Sequence, residues 1–159
     1  MKNIIKALTL ISSSIFALTA SANTASEHDN AHHFPSVFIG STTTEGETEF
    51  TYGVEYEYKF NHLIGTGVVY ERRDHPHHGT GAEVYLASIY LHPWKTLRVG
   101  AGYGAERMKG SHGYREELVR ISLSYDFHFA GITIAPTIAS DFVHGETTTV
   151  MGLAFGYVF

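Results

Sequence analysis

The last dozen residues of the chain constrain its fold more than any other stretch. Large apolar residues alternate there with small ones, and the large ones are Met151, Leu153, Phe155, Tyr157 and Phe159. Alternation with a period of two predicts a β-strand whose two faces meet different environments. The apolar face continues to the final residue, whereas the ends of most water-soluble chains fray into solvent. We therefore expect this strand to present its large side chains to lipid.

The other end of the chain predicts export. Two lysines precede an apolar run at residues 7–18 that Ser and Thr dilute, and Ala20-Ser21-Ala22 forms a small-x-small cleavage site. The run is short for a spanning helix, which needs about 20 apolar residues, so it is interpreted as a signal peptide. The predicted domains are a signal peptide at residues 1–22, a flexible periplasmic lead at 23–33 and one β-barrel at 34–159.

Composition excludes several classes of protein. The formal net charge is −5, and removal of the two lysines of the signal peptide would make the mature chain more acidic. A basic footprint for nucleic acid is therefore absent, and no nucleic-acid partner is expected. The chain has no Cys, so no disulfide can stabilise the fold.

Strand-like segments fill the rest of the mature chain. They are predicted at residues 34–43, 49–60, 63–72, 81–91, 96–107, 117–129, 132–143 and 148–159. Polar loops and tight turns separate them alternately. Eight such segments of about ten residues predict an all-β fold, an eight-stranded antiparallel up-and-down transmembrane β-barrel. An even number of strands returns both termini to one side, which is predicted to be the periplasm, with the loops outside the cell.

This pattern resembles a known family. A final strand that ends in Tyr-x-Phe is similar to the closing strand of bacterial outer-membrane β-barrels, and the whole mature chain resembles the OmpA- and OmpX-type barrels. The resemblance implies a monomer in the outer membrane of a Gram-negative bacterium, surrounded by outer-membrane lipids and lipopolysaccharide. It also implies that the barrel-assembly machinery reads Phe155, Tyr157 and Phe159.

The predicted inward face is rich in charge. Its charged residues are Glu55, Glu57, Lys59, Glu71, Arg98, Glu106, Arg120, Asp126 and Asp141, with Glu83 a further candidate. The interior of an eight-stranded barrel is just wide enough for side chains, so these charges must pair or stay hydrated. Hairpin register predicts two salt bridges, Arg98 with Asp126 and Arg120 with Asp141. Inward glycines are expected to make room for the longer side chains.

Three readings of this lumen remain open from the sequence. In the first, the charges form a polar plug in a barrel with a structural or surface-interaction role. In the second, they gate a narrow passive pore for small solutes or ions. In the third, the chain is a soluble periplasmic barrel that binds lipid, although the charges on the inward face of residues 49–60 speak against an apolar lumen.

Histidines in the predicted loops form a weak candidate metal site. They are His75, His77, His78, His112 and His144, and imidazoles on neighbouring loops could bind Zn²⁺ or Cu²⁺. The alternative is that they are simply exposed polar loop residues. Ser140, Asp141 and His144 suggest a catalytic triad, but adjacent residues of a strand point to opposite faces. The protein is predicted to be non-enzymatic and to need no cofactor.

Overall fold

The computed structural model describes residues 32–74, 81–109 and 113–159. The predicted signal peptide and nearly all of the lead lie outside the described residues. No helix in the described part of the chain is long and apolar enough to cross a membrane.

The chain forms one closed antiparallel sheet. Its segments are β1 (His32–Thr44), β2 (Glu47–Lys59), β3 (Ile64–Asp74), β4 (Ala82–Trp94), β5 (Leu97–Met108), β6 (Arg115–Tyr125), β7 (Phe127–Phe129), β8 (Ile132–Val143) and β9 (Glu146–Tyr157). Segments β6 and β7 are one strand interrupted at Asp126, because both pair with β8. The first strand also pairs with the last. The sheet is therefore an eight-stranded up-and-down barrel, which confirms the predicted fold.

Several strands extend further than the sequence predicted. His32 and His33, assigned to the lead, belong to β1. Two predicted loops are two-residue turns, Glu45-Gly46 and His144-Gly145, with positive φ at both positions. These turns match the type I′ geometry that the twist of a hairpin favours, as does the predicted turn Ala130-Gly131. The longer connections are the β3–β4 and β5–β6 segments, and we call their end of the barrel the loop end and the other the terminal end.

In the register with β8, the interruption at Asp126 falls opposite Ala135, and the neighbouring Tyr125 falls opposite Pro136. The pairing with β8 keeps one register on both sides of the break, so no residue is inserted. No bulge forms at this proline, and the ladder is instead interrupted beside it. Proline has no backbone N–H to donate, so the ladder loses a bond here. The backbone N–H of Asp126 donates instead to the carbonyl oxygen of Thr96, 2.6 Å away.

The outward face of the barrel is apolar across its middle band, between the two ends. Large exposed side chains on it include Val68, Ile89, Ile121, Ile138, Met151 and Leu153. Aromatic rings lie towards both ends: Phe60, Trp94, Phe127, Phe129 and Tyr157 at the terminal end, and Phe50, Tyr52, Tyr103 and Phe142 at the loop end. A water-soluble protein buries such residues, whereas a transmembrane barrel presents them to lipid between two aromatic girdles.

The lumen is less uniformly polar than the sequence predicted. Two buried apolar clusters lie inside it: Phe38, Ala135, Ala139, Val150 and Ala154, and Val84, Leu86, Leu118 and Val143. Several of these residues come from β1 and β4. Apolar residues occupy both faces of these two strands, so alternation could not assign their facing. The charged layers of the lumen, and the Ser and Thr side chains near them, match the prediction of a polar interior.

Inward glycines lie beneath large inward side chains. A Cβ atom at Gly65 would overlap the carboxylate of Glu57, as expected for a glycine that accommodates an acidic side chain. Others lie under aromatic rings instead. A Cβ atom at Gly156 would overlap the ring of Phe34, and one at Gly152 would meet the ring of Phe38 at 2.6 Å.

Candidate functional site

The central layer of the lumen is built around Arg120. This buried side chain of β6 lies directly opposite Asp141 of β8, with Nε–Oδ1 and Nη2–Oδ2 distances of 2.6 and 2.8 Å. Across the lumen, Glu71 of β3 accepts from the same guanidinium at 2.6 and 2.7 Å. Two bidentate carboxylates therefore hold one arginine, which is the strongest geometry for such a pair. The predicted bridge between Arg120 and Asp141 is confirmed, whereas the contact with Glu71 was not predicted.

A second layer lies nearer the terminal end and is built around Arg98. Its Nη1 atom is 2.7 Å from Oε1 of Glu55 and 3.2 Å from Oε2 of Glu57. The other oxygen of Glu57 is 2.6 Å from Nε2 of the buried His92. The Arg98 guanidinium also lies over the ring of Tyr90, 5.2 Å from its centroid. Every charged group of this layer therefore has a partner of opposite charge or a hydrogen-bonding partner.

The predicted salt bridge between Arg98 and Asp126 is wrong. The β5–β6 register pairs Arg98 with Ser124, two residues away from the predicted partner. Both side chains of the predicted bridge are nevertheless buried and inward. Arg98 turns across the lumen to β2, and Oδ1 of Asp126 has no hydrogen-bond partner in the described part of the chain.

A third ion-paired layer, near the loop end, joins Arg73 of β3 to Glu106 of β5. From the sequence, Arg73 is predicted in a loop and His92 in a turn, but β3 and β4 each continue past them. Arg73 lies two positions beyond Glu71, which was predicted to face inward, and His92 lies two positions beyond Tyr90, which the structure places inward. Extending the period-two alternation by one step would have found both.

Two further candidate lumen residues have different surroundings. Lys59 is half-buried, and its ammonium lies 5.6 Å from the centroid of the Phe34 ring. Glu83 lies on the outward face rather than inside, which corrects its candidacy. Its carboxylate accepts from the hydroxyls of Tyr70 and Tyr85 at 3.1 and 3.2 Å, and Lys109 Nζ lies 2.5 Å away.

The lumen is narrow in the middle and wide at the loop end. Between the Arg98 and Arg120 layers is a void of about 30 Å³, lined in part by Ser122, Ser124 and Thr137. A void of this size holds about one water molecule. The loop-end opening is about 350 Å³, and its charged lining residues are Arg73, Glu45, Glu47, Glu49, Glu106, Glu116 and Glu146. Its strongly acidic lining favours cations over anions.

The candidate metal and triad residues are not brought together in the described part of the chain. His75, His77, His78 and His112 lie outside the described residues. His144 is exposed in a turn, and no group of three described His, Asp or Glu side chains could hold a metal ion. Asp141 is engaged by Arg120, and Ser140 lies on the opposite face of β8.

The C-terminal residue closes the terminal end. The N–H of Phe159 donates to the carbonyl oxygen of His33 at 3.1 Å, and the N–H of His33 donates back at 2.8 Å. The two rings stack with centroids 5.5 Å apart, and Tyr157 stacks on the other side at 6.2 Å. Tyr157 and Phe155 face outward along the same strand. These are the three residues for which the family resemblance implies recognition during assembly.

Deletion of Phe159 is expected to destabilise the barrel by about 2 kcal/mol, because two backbone hydrogen bonds are lost at the seam. The measurement is the urea midpoint of the protein folded in phosphatidylcholine vesicles, followed by the heat-dependent shift on gels. Phe159→Ala is the matched control, since it removes the ring but keeps the backbone pair. Equal midpoints for the deletion and the wild type would contradict this assignment.

Comparisons with known proteins agree with this geometry. No family model matches the sequence, and no curated protein is found as a relative. Among solved structures, Ail, the attachment invasion locus protein of Yersinia pestis, is similar to this chain. The TM-score is 0.61 at 12% sequence identity, and the match covers 82% of this chain and 99% of Ail. Neisserial surface protein A (NspA) is similar with a TM-score of 0.63 at 10% sequence identity, and the match covers 81% of this chain and 97% of NspA.

A designed protein is also similar. The de novo designed TMB2.3 matches with a TM-score of 0.54 at 12% identity, over 81% of this chain and 97% of that one. Since an artificial barrel matches nearly as well as natural ones, these similarities describe architecture alone. The chain has the fold of the small eight-stranded outer-membrane β-barrels, with an ion-paired lumen.

Proposed function

We propose that this protein is an integral outer-membrane barrel with a structural or surface-interaction role, without enzymatic activity and without an open channel. The observation that carries this proposal is the layered ion pairing across the lumen. Arg120 of β6 binds carboxylates of β3 and β8, and Arg98 of β5 binds two carboxylates of β2. Each layer therefore spans the interior. The space between the layers is about 30 Å³, too small for a continuous water column.

The proposed orientation places the terminal end in the periplasm and the loop end at the cell surface. Both termini meet at one end through the His33–Phe159 backbone pair. The longer β3–β4 and β5–β6 connections lie at the other end. Outer-membrane barrels have short periplasmic turns and longer extracellular loops, which supports this orientation. The acidic opening would then face the outside, where it favours cationic partners.

Planar-bilayer recording tests the closed lumen. We expect no reproducible conductance steps from the refolded wild type. A triple variant, Arg120→Ser with Glu71→Gln and Asp141→Asn, serves as the opened control, because it shortens the central side chain and removes the charges that hold it. Reproducible steps from the wild type would contradict the proposal, whereas steps from the variant alone would support it, since conduction would then depend on removal of the Arg120 layer.

A narrow passive pore is the second candidate. The observations that favour it are the polar lining of the central void by Ser122, Ser124 and Thr137 and the separate wide acidic opening at the loop end. A pore with that opening would select cations. Cation-selective steps in wild-type recordings would favour this candidate over the closed barrel.

The proposed environment is the lipid of the outer membrane, including lipopolysaccharide, around a monomeric barrel assembled through its C-terminal strand. The continuous apolar outer wall and the pairing of Phe159 support it. Ail is an attachment invasion locus protein, and NspA is a surface protein. A role at the surface is therefore consistent with proteins of the same fold.

A further inference from the structure

Two arginines face each other directly on the outer wall at the loop end. Arg107 of β5 and Arg115 of β6 are partners in the last pair of their ladder. Both are exposed, and they continue the outward row that contains the partners Tyr103 and Val119. Like charges opposite one another on one face destabilise a strand pair. No carboxylate in the described part of the chain forms an ion pair with either arginine.

The two arginines line a cleft of about 680 Å³. The other side chains that line it are Tyr85, Ala105, Met108, Lys109 and Tyr114. Lys109 adds a third cationic group, held in place by its ion pair with Glu83. Glu117, the next outward residue of β6, is already engaged by the hydroxyl of Tyr103. Glu83, the register partner of Arg107 on β4, is likewise engaged, by Lys109. The cleft therefore combines two arginines that lack an ion-pairing carboxylate in the described part of the chain with aromatic and thioether surface.

The cleft opens beside the apolar wall. On the same two strands, nearer the middle of the barrel, Tyr103, Val119 and Ile121 are all exposed. A ligand in the cleft that carried acyl chains could lay them along this wall, whereas a free anion would leave it uncovered. Arginine side chains present a planar fork that matches the oxygens of a phosphate.

We propose that the Arg107–Arg115 cleft binds the phosphate group of a membrane lipid in the leaflet at the loop end. This inference rests on the proposed membrane location. The phosphate bridges the two guanidinium groups and removes the repulsion between them, and the acyl chains lie on the apolar wall below. Lys109 completes the positive surface around the headgroup.

Native mass spectrometry of the folded protein in a nonionic detergent tests this site, with phosphatidic acid as the probe. We expect one phosphatidic acid to be retained by the wild type and about tenfold weaker binding after Arg107→Gln or Arg115→Gln, the loss of one charge-assisted hydrogen bond. Arg72→Gln is the matched control, because Arg72 is an exposed arginine that already pairs with Asp74. Its binding should equal that of the wild type.

Three results would overturn the inference. They are undiminished binding in both cleft variants, an equal loss in the Arg72 control, and equal retention of oleate, which carries a carboxylate instead of a phosphate. Displacement of the lipid by an equimolar amount of inorganic phosphate would show that the cleft takes the free anion. Flotation with phosphatidylcholine vesicles is run in parallel, so that failure of the membrane location is distinguished from failure of the lipid site.

Stability without lipid gives a second, independent readout. In nonionic detergent free of phosphate, Arg115→Gln is expected to raise the urea midpoint, because the opposed charges no longer repel each other. An arginine with a purely structural role would lower the midpoint when replaced. A lowered midpoint in phosphate-free detergent would therefore contradict the proposed site.

Discussion

Arg120→Met is expected to destabilise the folded barrel by about 3–5 kcal/mol, the largest effect of any single substitution considered for this chain. Methionine is close to arginine in length, so the change removes charge more than volume. Glu71 and Asp141, both buried, then face each other without a cation. The measurement is urea unfolding in phosphatidylcholine vesicles, followed by far-UV circular dichroism.

Two controls separate charge from packing in this experiment. Adding Glu71→Gln and Asp141→Asn to Arg120→Met should recover most of the lost stability, because a buried ionic cluster can be replaced by neutral groups at little cost. Arg72→Met removes an exposed, paired arginine and should cost less than about 1 kcal/mol. If the triple variant were no more stable than Arg120→Met alone, uncompensated charge would not be the cause.

Gly104→Ala is expected to destabilise the barrel by about 3 kcal/mol through overpacking. A Cβ atom at Gly104 would overlap the backbone carbonyl oxygen of Tyr85 on the neighbouring strand. The backbone there belongs to the β4–β5 ladder, so it cannot move without breaking hydrogen bonds. The same urea titration measures the effect.

Gly102→Ala is the matched control for Gly104→Ala. The two glycines lie on the same face of the same strand, but a Cβ atom at Gly102 would meet the hydroxyl oxygen of Ser88 at 2.7 Å, with other atoms at 3.5 Å or more. A serine side chain can rotate to another staggered position. We expect a cost below about 1 kcal/mol, and equal losses at the two positions would contradict the backbone overlap.

Lumen contacts between the two strands of a tight hairpin were predictable, and contacts between strands distant along the chain were not. Arg120 and Asp141 lie on the two strands that meet at the Ala130-Gly131 turn, so counting residues from that turn gave their register. Glu71 comes from β3, on the opposite wall, and no hairpin relates it to Arg120. The Arg98 prediction failed because the β5–β6 connection is longer, and a register two residues away is equally compatible with the sequence.

Facing was predictable where the two faces of a strand differ in polarity. Residues 49–60 alternate aromatic with polar, and the structure places the aromatic side chains outward, as expected. In β1 and β4 both faces carry apolar residues, so Phe38 and Leu86 could not be assigned to the lumen in advance. Alternation along a strand shows which side chains face inward only when the two faces of the strand differ in polarity.

The sequence by itself determined the number of strands, their antiparallel order and the apolar outer wall, because each depends on residue spacing along a single strand or hairpin. Only the tertiary structure decided which charges meet across the interior. Those contacts join strands that are distant along the chain, as Glu71 and Arg120 are, and they depend on how the strands tilt and stagger when the sheet closes. The same closure brought His33 against the last residue of the chain.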